Sequence, residues 1–254
     1  LDSKRVGELI KRNDFYYLAE MMNFPGVIND DPEVIKKIQH AKDANKPVDG
    51  HVPGLTGKDL DKYINSGITT DHECGNYEEA VEKINKGMKI QIREGSAAKD
   101  FNALFHLINE FPDSVMLCSD DKHPDDLVKG HINKLVQKGM EQGLNLFNLL
   151  KAAIVNPVKH YNLPAGLLRE NDPADFIVVS DLERFEILKT YINGQKVFDE
   201  NESTIQIKPA DYPNVMNAQK ISSSDLAVYS ESKPVKIIHA QDRTLYTSFE
   251  TSDI

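Results

Sequence analysis

Five residues of metal-ligand type, Glu20, His51, His72, Glu94 and Asp120, each close a short apolar run: FYYLAE, PVDGH, GITTDH, MKIQIRE and SVMLCSD. Neutral imidazoles and carboxylates hold divalent ions of the Zn, Mn or Fe type, and a site that keeps one position open can activate water. Taken singly, Glu20 or Asp120 is explained by turn and cap chemistry, since acidic residues sit naturally at strand ends. Taken as five consecutive strand ends, the set favours one shared metal site, and a metal hydrolase is the expectation. His131, between Gly130 and Ile132, reads as a helix residue near the core and not as a ligand. His40, His106, His123, His160 and His239 fall in helical, loop or late β segments and read the same way. Cys118 reads as a small apolar residue of a buried strand, and Cys74 as a pocket wall.

For the five ends to meet, their strands must run parallel and present their carboxyl edges to one side, as in α/β sheets and barrels. The ends fall roughly 20 to 30 residues apart, the length of one strand, one helix and two loops. The intervening helices carry their own start signals. Asp31 followed by Pro32 suits an N-cap and first helical position ahead of Val34, Ile35, Ile38 and Ala41, and Asn76 with Glu79 forms a capping-box pattern. Phe101, Leu104, Phe105, Ile108 and Phe111 keep helical spacing, and further helices are expected near Asp125 to Glu141 and Leu146 to Lys159. After Pro164 the texture changes to alternating strands, DFIVVSDL and FEILKTYI, with Asn193-Gly194 before QKVF as a hairpin signal. AVYS, VKIIHA and TLYTSF in residues 201–254 are taken as further β structure without assignable chemistry.

A 254-residue chain with 40% hydrophobic and 28% charged residues can bury a sizeable core, so disorder is not the default. Thirty Lys and Arg against forty Asp and Glu leave a net charge of −10, which opposes nucleic acid or an anionic membrane as partner. Two cysteines are too few for a disulfide scaffold, and no apolar run is long enough for a bilayer span or a signal, which fits a reduced, cytoplasmic setting. A helix-like stretch with Val6, Leu9 and Ile10 begins almost at Leu1, as it would inside a longer chain.

At these same strand ends, AEMMNFPGVI, DGHVPGL, TDHE, IREGS and CSDD resemble, in matching order, the motifs of the adenine deaminase family of the amidohydrolase superfamily. LPAGLLRENDPADFIVVSDL and YINGQKVF resemble the β-sandwich return that follows the superfamily's barrel. The resemblance implies an α/β fold: strands four to eight of a metal-dependent (β/α)8 barrel over residues 1–163, a sandwich return over 164–200, and the start of a further β-rich domain over 201–254. It implies a divalent transition metal, binuclear Mn or Fe with Zn possible, with Glu20 bridging, His51 and His72 as ligands, and Asp120 touching a metal while shuttling the proton of the attacking water. Glu73, Arg93, Glu94, Ser96 and Asp121 would be pocket residues around the purine. The implied reaction is hydrolytic deamination of adenine to hypoxanthine and ammonia by metal-activated water, in purine salvage.

Within that reading Glu73 and Glu94 rival Asp120 for proton transfer, and Arg93 and Glu94 contact ring nitrogens, or else pair with each other or cap the next helix. The family's His-x-His pair from the first barrel strand is absent, and there is no room for three more βα units before Asp14. Missing strands are therefore expected from another segment or chain, or the sequence is incomplete, and the family suggests a homo-oligomer. Two rivals remain: another cyclic-amide or amine hydrolase of the superfamily, and a catalytically dead barrel piece serving as a structural or binding subunit.

Overall fold

The computed structural model describes residues 1–209, 211, 214–229, 234–242 and 244–252. Its first half alternates strand and helix: α1 (Ser3–Leu9), β1 (Leu18–Met21), α2 (Phe24–Ile28), α3 (Pro32–Asp43), β2 (Val48–Gly50), α4 (Gly57–Asn65), β3 (Thr70–Asp71), α5 (Tyr77–Asn85), β4 (Lys89–Arg93), α6 (Phe101–Leu104), α7 (Leu107–Glu110) and β5 (Val115–Cys118). All pairings among these strands are parallel. β1 joins β2 with Leu18 opposite Val48, while β3, β4 and β5 form a three-stranded sheet with Arg93 opposite Cys118. A single parallel bridge between Val48 and Ile68 links the two small sheets. The chain is thus α/β, with the five strands in sequence order and their carboxyl ends on one side.

The helices start where their caps dictate. The Asp31 carboxylate accepts from the backbone N–H groups of Glu33 and Val34, Pro32 occupies the first turn, and Val34, Ile38 and Ala41 are buried. Asn76 caps α5 by accepting from Glu79 N. The return half of a capping box is not made, because the Glu79 carboxylate is engaged by Gly54 N and Lys83. The single helix expected over Phe101–Phe111 is two short ones. Ile108 and Asn109 bond back three residues, to Phe105 and His106, and the tightened turn divides α6 from α7.

The helix expected over Asp125–Glu141 is also divided, into α8 (Pro124–Leu127) and α9 (Ile132–Glu141). Gly130, at φ +145°, takes the backbone out of the helical region between them. From Leu146 to His160 the chain is one helical rod: α10 (Leu146–Leu150), a π turn at Lys151–Val155, and α11 (Asn156–His160). The Asn156 amide donates to the carbonyls of Pro112 (2.8 Å) and Val115 (2.7 Å), fixing this rod to the start of β5.

The rest is antiparallel. β6 (Phe176–Val179), β7 (Ile187–Ile192), β8 (Gln195–Asp199) and β9 (Glu202–Ser203) form a meander, and Asn193-Gly194 turns β7 into β8 with both residues at positive φ, 49° and 76°. β10 (Val235–Ala240) covers VKIIHA and pairs with β11 (Thr247–Ser252), which takes up the end of TLYTSF. AVYS does not form a strand: Ala227, Val228 and Tyr229 are exposed without regular structure, and Ser230 lies outside the described residues.

Buried apolar side chains gather in two clusters. One holds Met21, Val27, Ile38, Val48, Leu60 and Ile68 beneath β1 and β2, and the other holds Ile90, Ile92, Phe101, Leu107, Val115 and Leu149 around β4 and β5.

Candidate metal centre

The loops that leave the carboxyl ends of β1 to β5 place their polar side chains on one side of the strands. Glu20 lies within β1, His51 and His72 follow β2 and β3 directly, and Asp120 stands two residues beyond β5. Gly50 lets β2 and β3 approach, since a Cβ there would fall 2.3 Å from the Thr70 carbonyl oxygen. This closeness puts the two imidazoles edge to face with ring centres 5.3 Å apart. His72 Nε2 is 2.9 Å from a Glu20 oxygen and 3.5 Å from Glu73, while His51 Nδ1 is 3.4 Å and 3.6 Å from the same two oxygens.

Although ion-pair distances surround it, His51 Nδ1 makes no hydrogen bond, and among the described residues it is the one fully buried side-chain nitrogen or oxygen without such a partner. A buried lone pair is costly unless something accepts it. One ligand atom from each of Glu20, His51 and His72 lies within 4.8 Å of the others, and His72, Glu73 and Asp120 form a second such group. The cluster gathers four carboxylates, Glu20 against the imidazoles and Glu73, Asp100 and Asp120 against the single guanidinium of Arg93, so a divalent cation would balance charge as well as satisfy Nδ1. The residues present therefore fit a His/carboxylate metal site.

Arg93 organises the acidic side of the cluster. Buried at the end of β4, it donates from both terminal nitrogens to Glu73, from Nη1 to Asp120 at 2.9 Å, and from Nε to Asp100 at 3.0 Å. It does not pair with Glu94. Burial pushes Asp100 above the usual carboxylate range against the pull of Arg93. Asp120 has φ +52°, a left-handed conformation unusual for a side-chain-bearing residue, and such backbone strain gathers at functional sites.

Among the described residues neither Glu94 nor Asp121 joins a metal-ligand group with the imidazoles, and Ser96 is bonded elsewhere. The Glu94 carboxylate pairs with Lys138 of α9 at 2.9 Å and accepts from Phe101 N, so it serves the start of α6. Ser96 Oγ donates to Asp126 (2.7 Å) and accepts from His123 N (2.9 Å), and the Asp121 carbonyl accepts from Ser96 N. Together these bonds tie the loop after β4 to the loop after β5.

An open cavity of about 590 Å³ lies against the cluster, lined by Tyr17, Glu20, Asp49, His72, Gln91, Ser119, Asp120 and His131 among others. His131 is therefore corrected. Gly130 breaks the helix, and the imidazole stands just before α9, exposed at the cavity wall with Nε2 3.0 Å from Ser119 Oγ. The Gly-His pair ahead of an amphipathic run was the sequence signal for this position. Asp49, raised in pKa by burial, accepts from Tyr161 and Thr70, and Gln91 donates to Tyr161, forming a polar floor that strand patterning did not reveal. A separate apolar cavity of about 430 Å³ between α9 and β6–β7 holds, among the described residues, no grouping of metal-ligand side chains. Asp71, Cys74 and Glu79 also converge, but the Lys83 ammonium already sits among them.

Parallel βα units with an imidazole–carboxylate cluster at their carboxyl edge define the class: residues 3–197 match the Amidohydrolase family, and the chain belongs to it. That family is metal-dependent, in keeping with the candidate ligand groups. Among individual relatives, the chain is 51% identical to the adenine deaminase of Methanosarcina barkeri, over 98% of its own length and 47% of that protein. It is 46% identical to the adenine deaminase of Parabacteroides distasonis, over 98% of its length and 46% of that protein. The chain thus spans about half the length of the curated relatives it matches. The β-aspartyl dipeptidase of Fervidobacterium islandicum AW-1 is similar in structure, with a TM-score of 0.54 at 20% identity, over 73% of this chain and 54% of that one. The N-acetyl-D-glucosamine-6-phosphate deacetylase of Mycobacterium smegmatis gives 0.51 at 15% identity, over 65% and 51%. At such identities the likeness is one of fold alone. No described helix is long and apolar enough to cross a membrane.

Proposed function

We propose that this protein acts in the hydrolytic deamination of adenine to hypoxanthine and ammonia, at the Glu20–His51–His72–Asp120 site. One conjunction supports the reading above all. A chain about half identical to adenine deaminases along nearly its whole length brings the His72 imidazole and the Glu20 and Glu73 carboxylates around the unsatisfied buried Nδ1 of His51.

In this reading β1 to β5 are strands four to eight of a (β/α)8 barrel within residues 1–163, followed by the sandwich return (164–200) and a further β-rich domain beginning at 201. The remaining strands come from another segment or chain, and the working enzyme is a homo-oligomer in the cytoplasm, a setting that two free cysteines suit. Adenine is the small-molecule partner and purine salvage the context.

Glu20, His51 and His72 would hold the metal, with Asp120 reaching it. Two Mn or Fe ions would draw on these donors, Glu20 among them, and Zn is compatible with the same set. When bound, the metal lowers the pKa of a coordinated water towards about 7 and so supplies a nucleophile at neutral pH. Asp120 accepts the proton of the attacking water and passes it to the departing amino nitrogen. The C–O bond forms at the ring carbon as its C–N bond breaks and ammonia leaves. Arg93 holds Asp120 and Glu73 in place through its fork of donors. Glu73, 3.5 Å from His72, is the rival proton carrier, whereas Glu94 is engaged with Lys138. His131 and Ser119 offer hydrogen bonds to ring nitrogens from the cavity wall.

The test is metal analysis beside an adenine-to-hypoxanthine assay, on the intact protein with its full set of barrel strands and on its Asp120→Asn variant. Stoichiometric transition metal in both, with kcat reduced about a hundredfold or more in the variant, is expected. A metal-free, inactive wild-type protein would sink the reading and leave a structural subunit.

A further inference from the structure

The loop that carries His51 away from β2 runs Val52-Pro53-Gly54-Leu55-Thr56-Gly57, and its backbone is gripped by side chains from one face of α5 and by the end of β3. Val52 N donates to Asp71 Oδ1 (2.9 Å), Gly54 N to Glu79 Oε1 (2.8 Å), and Gly57 N to Glu82 Oε1 (2.9 Å). At the centre lies Lys83, a fully buried ammonium that donates to Val52 O (2.7 Å), Asp71 Oδ2 (2.8 Å) and Glu79 Oε1 (2.6 Å). All three donors of the ammonium are therefore used.

Two of those acceptors adjoin the metal cluster in sequence: Val52 follows His51, and Asp71 precedes His72. Lys83 itself touches neither imidazole. An ammonium without water is expensive to bury, and apolar residues of similar volume serve stability as well or better. Geometry at the neighbouring site gives this one a distinct use. We infer that Lys83 is a positioning residue for the metal centre, locking the His51 loop against the His72 strand so that both imidazoles are presented together. The inference rests on the metal-site reading above and goes beyond it, since Lys83 belongs to no ligand or substrate shell.

Lys83→Met alone leaves Asp71 and Glu79 buried and unpaired and is expected to destabilise the fold, so a second variant separates the roles. In Asp71→Asn/Glu79→Gln/Lys83→Met the two amide oxygens still accept from Val52 N and Gly54 N and the buried charges are gone; the tether to Val52 O is lost, together with the weaker contacts of Cys74 Sγ (3.2 Å) and Asn76 Nδ2 (3.5 Å) to the second carboxylate oxygens. The metal-loaded protein and both variants are mixed with a chelator well below their melting temperatures, and metal release and thermal midpoint are recorded. Metal leaving about ten- to a hundredfold faster from the triple variant, with its midpoint restored towards wild type, supports the inference. Release that returns to the wild-type rate together with the midpoint overturns it and makes Lys83 a stability element only. A wild-type protein that takes up no metal overturns the metal-site reading itself and this inference with it.

Discussion

Tyr63 shows how much of the site depends on residues that do no chemistry. Its ring is fully buried, and its hydroxyl donates to Met21 O (3.0 Å) while accepting from His51 N (3.1 Å), joining the end of β1 to the first residue after β2. Removing that oxygen leaves both backbone groups dry. Tyr63→Phe is expected to cost about 1–3 kcal/mol, visible as a lower urea midpoint at unchanged slope. An unchanged midpoint would mean that water replaces the hydroxyl. At this scale the sequence was legible where chemistry and strand ends coincide: Glu20, His51, His72 and Asp120 are brought together, and Glu73 and Arg93 join them. Glu94, one residue beyond Arg93, points to the other side of β4 as strand alternation dictates, which the run-end rule ignored. Tyr63, Lys83 and Asp49 gave no signal, because a buried polar residue is recognisable only once its partners, up to 112 positions away in the Tyr161–Asp49 pair, are known.

Among the elements, caps and turns were the most readable. Asp31, Asn76 and Asn193-Gly194 act through neighbours two or three residues away, so local sequence contains the whole interaction. The breaks at Phe105–His106 and Gly130 were harder, because apolar spacing continued across both. α11 contributes a pH dependence. Burial, with nearby Lys89, lowers His160 to about 4, and its ring packs against Tyr161 with Nε2 3.3 Å from Thr69 Oγ1. The unfolded chain, at the ordinary 6.5, takes the proton first as pH falls. Stability from this group is therefore full above 6.5, declines between 6.5 and about 4, and levels below. Solvent screening keeps the loss to about 1 kcal/mol. Over that interval His160→Gln should show a smaller fall in thermal midpoint than wild type; parallel curves would assign the pH dependence to other groups.

Across the whole molecule, order is unevenly distributed. β4 and β5 are buried along most of their length, whereas β10 and β11 are exposed at nearly every residue. Among the strands, amide exchange should therefore be slowest in Ile90–Ile92 and Val115–Leu117 and fastest in β10 and β11, and equal protection in the two would contradict this ordering. The parallel plan was legible from repeated run, loop and helix. The exposure of the described residues after 200 was not, because short β-like runs reveal propensity and not partners. The π turn at Lys151–Val155 has a consequence for how this architecture tolerates change. A π turn holds one residue more than a regular helical turn requires, so it sets the phase of everything beyond it. Asn156 meets the carbonyls of Pro112 and Val115 because of that extra residue. Losing one residue there would act as a rotation of about 100° and not as a shortening, turning Asn156 from β5 while leaving a helix of ordinary appearance.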